Sequence, residues 1–308
     1  MRRGTWLTLA ALGSMLGVHG GGDVMAESAR PLTYVTLNLL HGGVLSGLTG
    51  DDQDLEARLR IVVEELRALD PDIVGVQEAS GSRRRGNVAA RLATELGFEY
   101  AHAPVRFSSA DALDRLIAWL MNFREGPAIL SRFPIAGWEA HALPRCNGLL
   151  DPRVLLYARV RTPWGDLGVA STHTSRGFCE AQRVAELMLA RRGPWPSVLM
   201  GDFNATEASP GITALTNGAG FVDSFRVANP TAPGPTVWQP VHAPVPTAFR
   251  RVDYVFLLPG TAVAGRILGS RVVLDTPRRL ADGTVLWPSD HYGVLAELVL
   301  FGPGAGRR

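Results

Sequence analysis

The sequence predicts a layered α/β (α+β) domain, and three observations carry that expectation. Short apolar strands alternate with amphipathic helices in the first half of the chain, and hairpin-like strand pairs take over in the second. Hydrophobic residues make up 46% of the 308 positions and charged residues 19%, which is enough to bury a sizeable core and excludes disorder as the main state. Neither an internal repeat nor a linker divides the chain, so the layers belong to one unit rather than to a regular barrel of helix-flanked parallel strands.

Arg2 and Arg3 precede an apolar run from Trp6 to Val18, and small residues follow with Val24 and Ala26 where a signal peptidase prefers them. Residues 1–26 therefore read as a secretory signal cleaved after Ala26, since the run is short for a membrane span. The domain would be residues 27–308, secreted or periplasmic. Leu32 to Asn38 alternates and reads as a strand. Leu55, Leu59, Val62, Val63, Leu66 and Leu69 share one helical face, and Asp70-Pro71 stops that helix. Ile73 to Gln77 is a continuous apolar strand, and Asn87 to Leu96 reads as a helix. Ser108 to Phe123 carries an apolar stripe behind a capping-box spacing of Ser108 and Asp111. It reads as a packed helix or as an apolar lid near the site.

Ala128 to Ser131 is a further short strand. Arg153 to Arg161 and Leu167 to His173 read as a hairpin turning at Thr162-Pro163-Trp164-Gly165. Ala181, Val184, Ala185 and Met188 mark a helix, and Ser197 to Gly201, Val252 to Leu258 and Gly293 to Leu300 are apolar strands. Cys146 lies before the hairpin and Cys179 after it, so both sit at its open end. In an exported chain that placement favours a disulfide over two buried thiols.

The formal net charge is +2, and loss of Arg2, Arg3 and Asp23 with the signal would leave +1. That balance makes no strong electrostatic case for nucleic acid. Every basic residue among the 31 is Arg, so a lysine nucleophile or Schiff base is excluded. Arg83, Arg84 and Arg85 form the one tight basic run, a solvated face or a hold for a polyanion.

Polar residues recur at the ends of apolar strands, where a scaffold fixes side-chain geometry. Asn38, Gln77, Glu78 and His173 end strands; Asp202 and Asn204 follow Val198-Leu199-Met200-Gly201; Asp253 opens a strand; Asp290 and His291 precede the last one. Oxygen donors of this kind suit Mg²⁺, or Mn²⁺ or Ca²⁺, and no close His or Cys spacing suits zinc. A hard cation with two histidines and amide donors suits phosphate-ester hydrolysis, with a carboxylate or His activating water.

The motifs Thr36-Leu37-Asn38, Val76-Gln77-Glu78, Ala128-Ile129-Leu130-Ser131-Arg132 with Pro134, Ser171-Thr172-His173, Gly201-Asp202-Phe203-Asn204, Arg251-Val252-Asp253-Tyr254 and Ser289-Asp290-His291 resemble those of the endonuclease/exonuclease/phosphatase superfamily, in the family's order and across residues 33–300. Thr174 stands where Leu commonly follows the hairpin His. The resemblance implies the deoxyribonuclease I-like fold, a four-layer α/β/β/α sandwich with two mixed β-sheets and the site on one edge. It implies Glu78 as main metal ligand, with Asn38 and Asp290 contributing to the metal or phosphate environment. Asp202 would orient or deprotonate water, Asn204 would bond a phosphate oxygen, and His291 would act on the phosphate or in proton transfer, paired with Asp253. His173 would be the second acid/base or phosphate-stabilising His. Glu125, seven residues before Arg132, matches the carboxylate that pairs with that His in the deoxyribonuclease I pattern; otherwise it is a solvated loop residue. Arg153 matches a phosphate-approaching Arg, a use that suits its fixed fork of donors. Gln182 matches a supporting position.

The superfamily shares its phosphate machinery and differs in loops, so the motifs leave the substrate open. The reading is an exported, monomeric, metal-dependent phosphodiesterase without a stable protein partner, a nuclease first. A sphingomyelinase-like phospholipid phosphodiesterase or a phosphatase is the alternative; the apolar helix at 112–121 and Trp238 in the Pro-rich stretch 230–246 would suit a lipid surface. A binding protein on a retired hydrolase fold is the reading from another class, and it is opposed by the intact set of candidate residues.

Overall fold

A computed structural model of the chain describes residues 31–42, 53–82, 85–105, 124–146 and 152–301. The expected signal over residues 1–26, the apolar segment 108–123, and Arg83 and Arg84 lie outside them. Twelve strands build two six-stranded mixed sheets: β1 Leu32–Asn38, β2 Ile73–Gln77, β3 Glu99–His102, β4 Ala128–Ser131, β5 Ile135–Ala142, β6 Val154–Thr162, β7 Gly165–His173, β8 Ser197–Asp202, β9 Val222–Asp223, β10 Asp253–Leu258, β11 Ala264–Val273 and β12 Gly293–Phe301. The first sheet runs β11-β12-β1-β2-β4-β3 and the second β9-β10-β8-β7-β6-β5. Each has one parallel pair at its heart, β1 with β2 and β7 with β8, and antiparallel partners around it. The layers match the sandwich that the sequence led us to expect.

Period-two alternation explains why each sheet is buried on both faces. Along β1, Leu32 and Tyr34 point into the cluster between the sheets with Ile73, Leu156, Val169, Met200 and Val255. Val35 and Leu37 point outward to helix α1, Leu55–Leu69, and helix α2, Val88–Leu96. The second sheet's outer face packs on helix α3, Phe178–Leu189, through Val184 and Met188. Asp70 ends α1 in the left-handed region, φ 48°, with its amide returning to Leu66, ahead of Pro71. Asn87 caps α2 by accepting from the Ala90 amide. A Cβ at Gly75 would stand 2.9 Å from Met200 Cε, so the absent side chain sets how closely β2 approaches β8 between the sheets.

The apolar strands fall where their sequence places them, to within one or two residues. Strands β3, β5, β9 and β11 were not foreseen. All four are edge strands; β9 is two residues long, β5 is mostly half-buried or exposed, and β11 alternates small, charged and apolar residues. Without a second buried face they carry no apolar run for the sequence to display. The β6–β7 hairpin has the expected turn, and Cys146 and Cys179 are bridged at its open end, with Cα atoms 6.2 Å apart. Among the described residues, no helix is long and apolar enough to cross a membrane.

Candidate active site

Strand register gathers the candidates before any side chain is considered. In the second sheet Asp202 is the rung partner of His173 on one side and of Asp253 on the other, so three chemical residues stand abreast at one strand edge. In the first sheet Asn38 pairs with Gln77, and Glu78 follows at once. A Cβ at Gly201 would lie 2.2 Å from the Thr172 carbonyl oxygen, so only glycine lets β8 deliver Asp202 beside His173. Glu78 and Asn204 both lie in the left-handed region, φ 53° and 50°, where a non-glycine residue stores strain. The turn at Glu78 sets its carboxylate beside Asn38, and the turn at Asn204 sets its amide against His173.

Asn38 joins the halves. Its Nδ2 donates to Glu78 Oε1 at 3.1 Å and to Asp202 Oδ2 at 3.0 Å, while Oδ1 accepts from the Leu40 amide. It therefore offers the site donors that hold two carboxylates at fixed separation. Its Oδ1 keeps a second lone pair beyond the bond from Leu40, so the ligand role expected for it stays open. Gln77 is a strut between the sheets: its Nε2 reaches Thr36 Oγ1 and Ser171 Oγ, both at 3.1 Å.

His291, leading into β12 of the first sheet, reaches across to the second: its Nδ1 lies 2.9 Å from Asp253 Oδ2, and Nε2 lies 3.7 Å from Asp202 Oδ2. Burial disfavours charge on this ring, but Asp253 and Asp202 outweigh it and hold the imidazole pKa well above its usual value. Burial also pushes Asp202 up, to about 7; Asp253 adds to the rise while His291 opposes it. Burial, seconded by Arg153, holds His173 well below the usual histidine range against the pull of Glu78. His173 Nε2 faces Asn204 Nδ2 at 3.0 Å and Asp202 Oδ2 at 3.3 Å, so one proton decides whether it accepts from the amide or donates to the carboxylate. Asn204 Nδ2 also donates to the Thr174 carbonyl, 2.9 Å away, and the amide thus steadies the His173 ring.

In the first sheet, burial opposes ionisation of Glu78. The His173 and His41 rings, the His41 amide and Asn38 overcome it and hold the carboxyl at about 2. Asp290 is buried and its pKa is raised chiefly by that burial, with Glu78 adding to the rise. Glu125 and Arg153 line a small cleft with Glu78 and His173. Among the described residues, the histidine within 4 Å of Glu125 is His41, at 3.7 Å, not the His173 it was matched to. Sequence reasoning missed His41. Its signal was a histidine three residues past Asn38, beyond the end of the same strand. Gln182, read as a support, is exposed on α3; the buried Glu180 does that work by accepting from the Ser175 amide and hydroxyl.

Two buried arginines clamp the loops. Arg58, 0% exposed, donates to the carbonyls of Leu39 and Leu40 beside Asn38 and of Pro288 beside Asp290. Arg251 donates to Asp223 Oδ2 at 2.7 Å and to Glu207, and lies over the Tyr254 ring two residues from Asp253. Arg85, from the basic run, donates to the carbonyls of His41 and Gly42 and so fixes the loop after Asn38. At the rim, Val237 bridges to His291, and its loop exposes Trp238 and Phe249, 55% and 69% accessible.

Two groups of side chains could hold a cation: one oxygen or nitrogen each from His41, Glu78 and Glu125 lie within 4.8 Å of one another, as do atoms of Asp202, Asp253 and His291. The second group is buried and closed by the Asp253–His291 bond, so the first suits an ion better.

The sequence matches the model of the Endonuclease/Exonuclease/phosphatase family over residues 35–291. Similar solved structures include a protein of that family from Bacteroides thetaiotaomicron, with 20% identity, TM-score 0.68, and 90% of this chain and 98% of that one covered. A mannosyl-6-phosphatase of the same organism is 20% identical, with TM-score 0.65 and coverage of 87% and 99%. An endonuclease/exonuclease/phosphatase from Beutenbergia cavernae is 25% identical, with TM-score 0.62 and coverage of 91% and 74%. No curated protein matches.

Proposed function

We propose that this chain, which belongs to the endonuclease/exonuclease/phosphatase family of phosphoester hydrolases, is an exported, divalent-metal-dependent phosphodiesterase acting on nucleic acid. The observation that carries the reaction class is the meeting, through one Asn38 amide, of Glu78 on the first sheet with Asp202 on the second. The charged run before an apolar N-terminal stretch supports export.

Glu78, with Asp290 and Asn38 near it, would hold the cation, Mg²⁺ first and Mn²⁺ or Ca²⁺ next. When bound, the ion neutralises phosphoryl oxygen charge and orients the ester. Asp202 takes the proton of the attacking water, for which a pKa of about 7 is well matched to neutral pH. His291, kept charged by Asp253, presents Nε2–H to the phosphoryl or leaving oxygen. His173, Asn204 and Arg153 steady the remaining phosphoryl oxygens, and Glu125 borders that cleft. A phospholipid diester is the second reading, favoured by the exposed Trp238 and Phe249 beside His291.

Hydrolysis of bis-p-nitrophenyl phosphate, against the monoester p-nitrophenyl phosphate, tests this with Mg²⁺, Mn²⁺, Ca²⁺ and EDTA. Metal-dependent diester turnover that Asp202→Ala abolishes is the expected result. Monoester turnover alone would replace the reading with a phosphatase. No turnover, together with no metal-induced rise in Tm, would replace it with a retired site. Single-stranded DNA, RNA and sphingomyelin vesicles then separate the two diester readings.

A further inference from the structure

The end of the site built from the first sheet contains a nitrogen donor that the hydrolytic reading leaves unused. His41 Nε2 stands 3.7 Å from Glu78 Oε2 and 3.7 Å from Glu125 Oε2. Those distances are too long for hydrogen bonds. They are the right size for a shared ion: two ligand atoms each about 2.1 Å from one cation lie about 3.0–4.2 Å apart for any angle between 90° and 180°. The His41 side chain is 22% exposed, against 15% for Glu78 and 12% for Glu125, so the three meet at a partly open pocket rather than on a solvated surface.

The ring is also placed deliberately. The His41 amide donates to Glu78 Oε2 at 3.0 Å, which turns that carboxylate oxygen towards the ring. Arg85 Nη1 bonds the His41 carbonyl at 2.7 Å, and Arg58 Nη2 bonds the Leu40 carbonyl at 2.7 Å, so both sides of the His41 backbone are clamped by guanidinium groups. A ligand held in this way is pre-organised before an ion arrives.

We infer that His41 Nε2 is a direct ligand of the divalent cation, sharing it with Glu78 and Glu125, and that this nitrogen adds more to Mn²⁺ affinity than to Mg²⁺ affinity. Mg²⁺ takes oxygen ligands, whereas imidazole suits transition metals. The inference rests on the reading that the Glu78 end of the site binds the cation.

The purified full chain is titrated with Mn²⁺ and Mg²⁺ by calorimetry, and the Mn²⁺ form is examined by pulsed EPR for imidazole ¹⁴N coupling. The coupling should be present in the wild type, persist in His173→Asn and vanish in His41→Asn. Mn²⁺ affinity should fall at least about tenfold in His41→Asn, and Mg²⁺ affinity less. Melting in EDTA checks that the variant is folded, and His41→Gln replaces it if it is not. Mn²⁺ that binds the wild type without ¹⁴N coupling overturns the His41 assignment and leaves the Glu78 site standing, provided Glu78→Gln abolishes binding. Coupling that survives loss of His41 but not of His173 also overturns it. Wild-type protein that binds neither ion overturns both the assignment and the metal reading beneath it.

Discussion

The two halves of the site are built from similar residues and behave differently. The first-sheet half, His41, Glu78 and Glu125, is partly open, and Glu78 is held at about 2, ionised at any working pH. The other half, Asp202, Asp253 and His291, is buried; burial raises the Asp202 pKa, and the two carboxylates raise that of His291 against its burial. The anchors differ as well. Arg58 secures the open half through backbone carbonyls, whereas Arg251 secures the closed half through the carboxylates of Asp223 and Glu207. Burial thus sorts like residues into two tasks: a partly open, fixed negative charge suits a cation, and a fully buried coupled set suits proton transfer.

The largest expected effect would break this division if it failed. His291→Ala should lower kcat by about 10²–10⁴, the ordinary share of one general acid–base group, and leave Mn²⁺ affinity unchanged in calorimetry. Glu78→Gln should do the opposite in kind and abolish tight metal binding. A fall in metal affinity in His291→Ala, of the size seen in Glu78→Gln, would merge the halves into one unit. Next in size, Arg251→Met should cost about 3–5 kcal/mol in denaturant unfolding, because it strands the buried Asp223 carboxylate. A cost under about 1 kcal/mol would show that the closed half holds without its ion pair.

A smaller effect sharpens the same contrast. If Asp202 acts ionised, kcat/KM rises with pH through its raised pKa, giving an acid limb near 7. A limb near the ordinary aspartate value of about 4 would remove Asp202 as the base. The profile is read with Mn²⁺ at saturation, so that metal loss at the open half does not supply the limb.

The closed half was more legible in the sequence than the open one. Gly201-Asp202-Phe203-Asn204, Asp253 and Asp290-His291 each sit at the end of an apolar strand, and a strand end in a layered sheet already fixes position to within a rung. His41 and Arg58 left no such mark. His41 lies in a loop, and Arg58 sits on a helix where an arginine reads as a solvated residue, yet it is fully buried because three loop carbonyls converge on it. Periodicity reports which face a residue occupies; it does not report which loops return to meet that face. The same gap explains why Glu125 was matched to His173 and stands beside His41.

One half-buried group beneath the open half gives the smallest effect and the cleanest sign. His102, at the end of β3, bonds the Ala79 carbonyl through Nε2 at 3.1 Å, directly behind Glu78. Burial lowers its pKa to about 4, and the bond to Ala79 opposes that only in part. The unfolded histidine titrates near 6.5, so between about 6.5 and 4 the unfolded chain binds the extra proton and the folded chain does not. The histidine's contribution is complete above about 6.5 and is lost as pH falls towards 4. Between pH 7 and pH 5 it should remove about 2 kcal/mol of stability in the metal-free protein. His102→Gln keeps a donor for Ala79 and removes the titration, so its stability should fall less by that amount over the same interval in denaturant unfolding. An unchanged pH dependence would mean that the acid sensitivity of this half belongs to its carboxylates, and that the ring behind Glu78 is protonated in the folded chain.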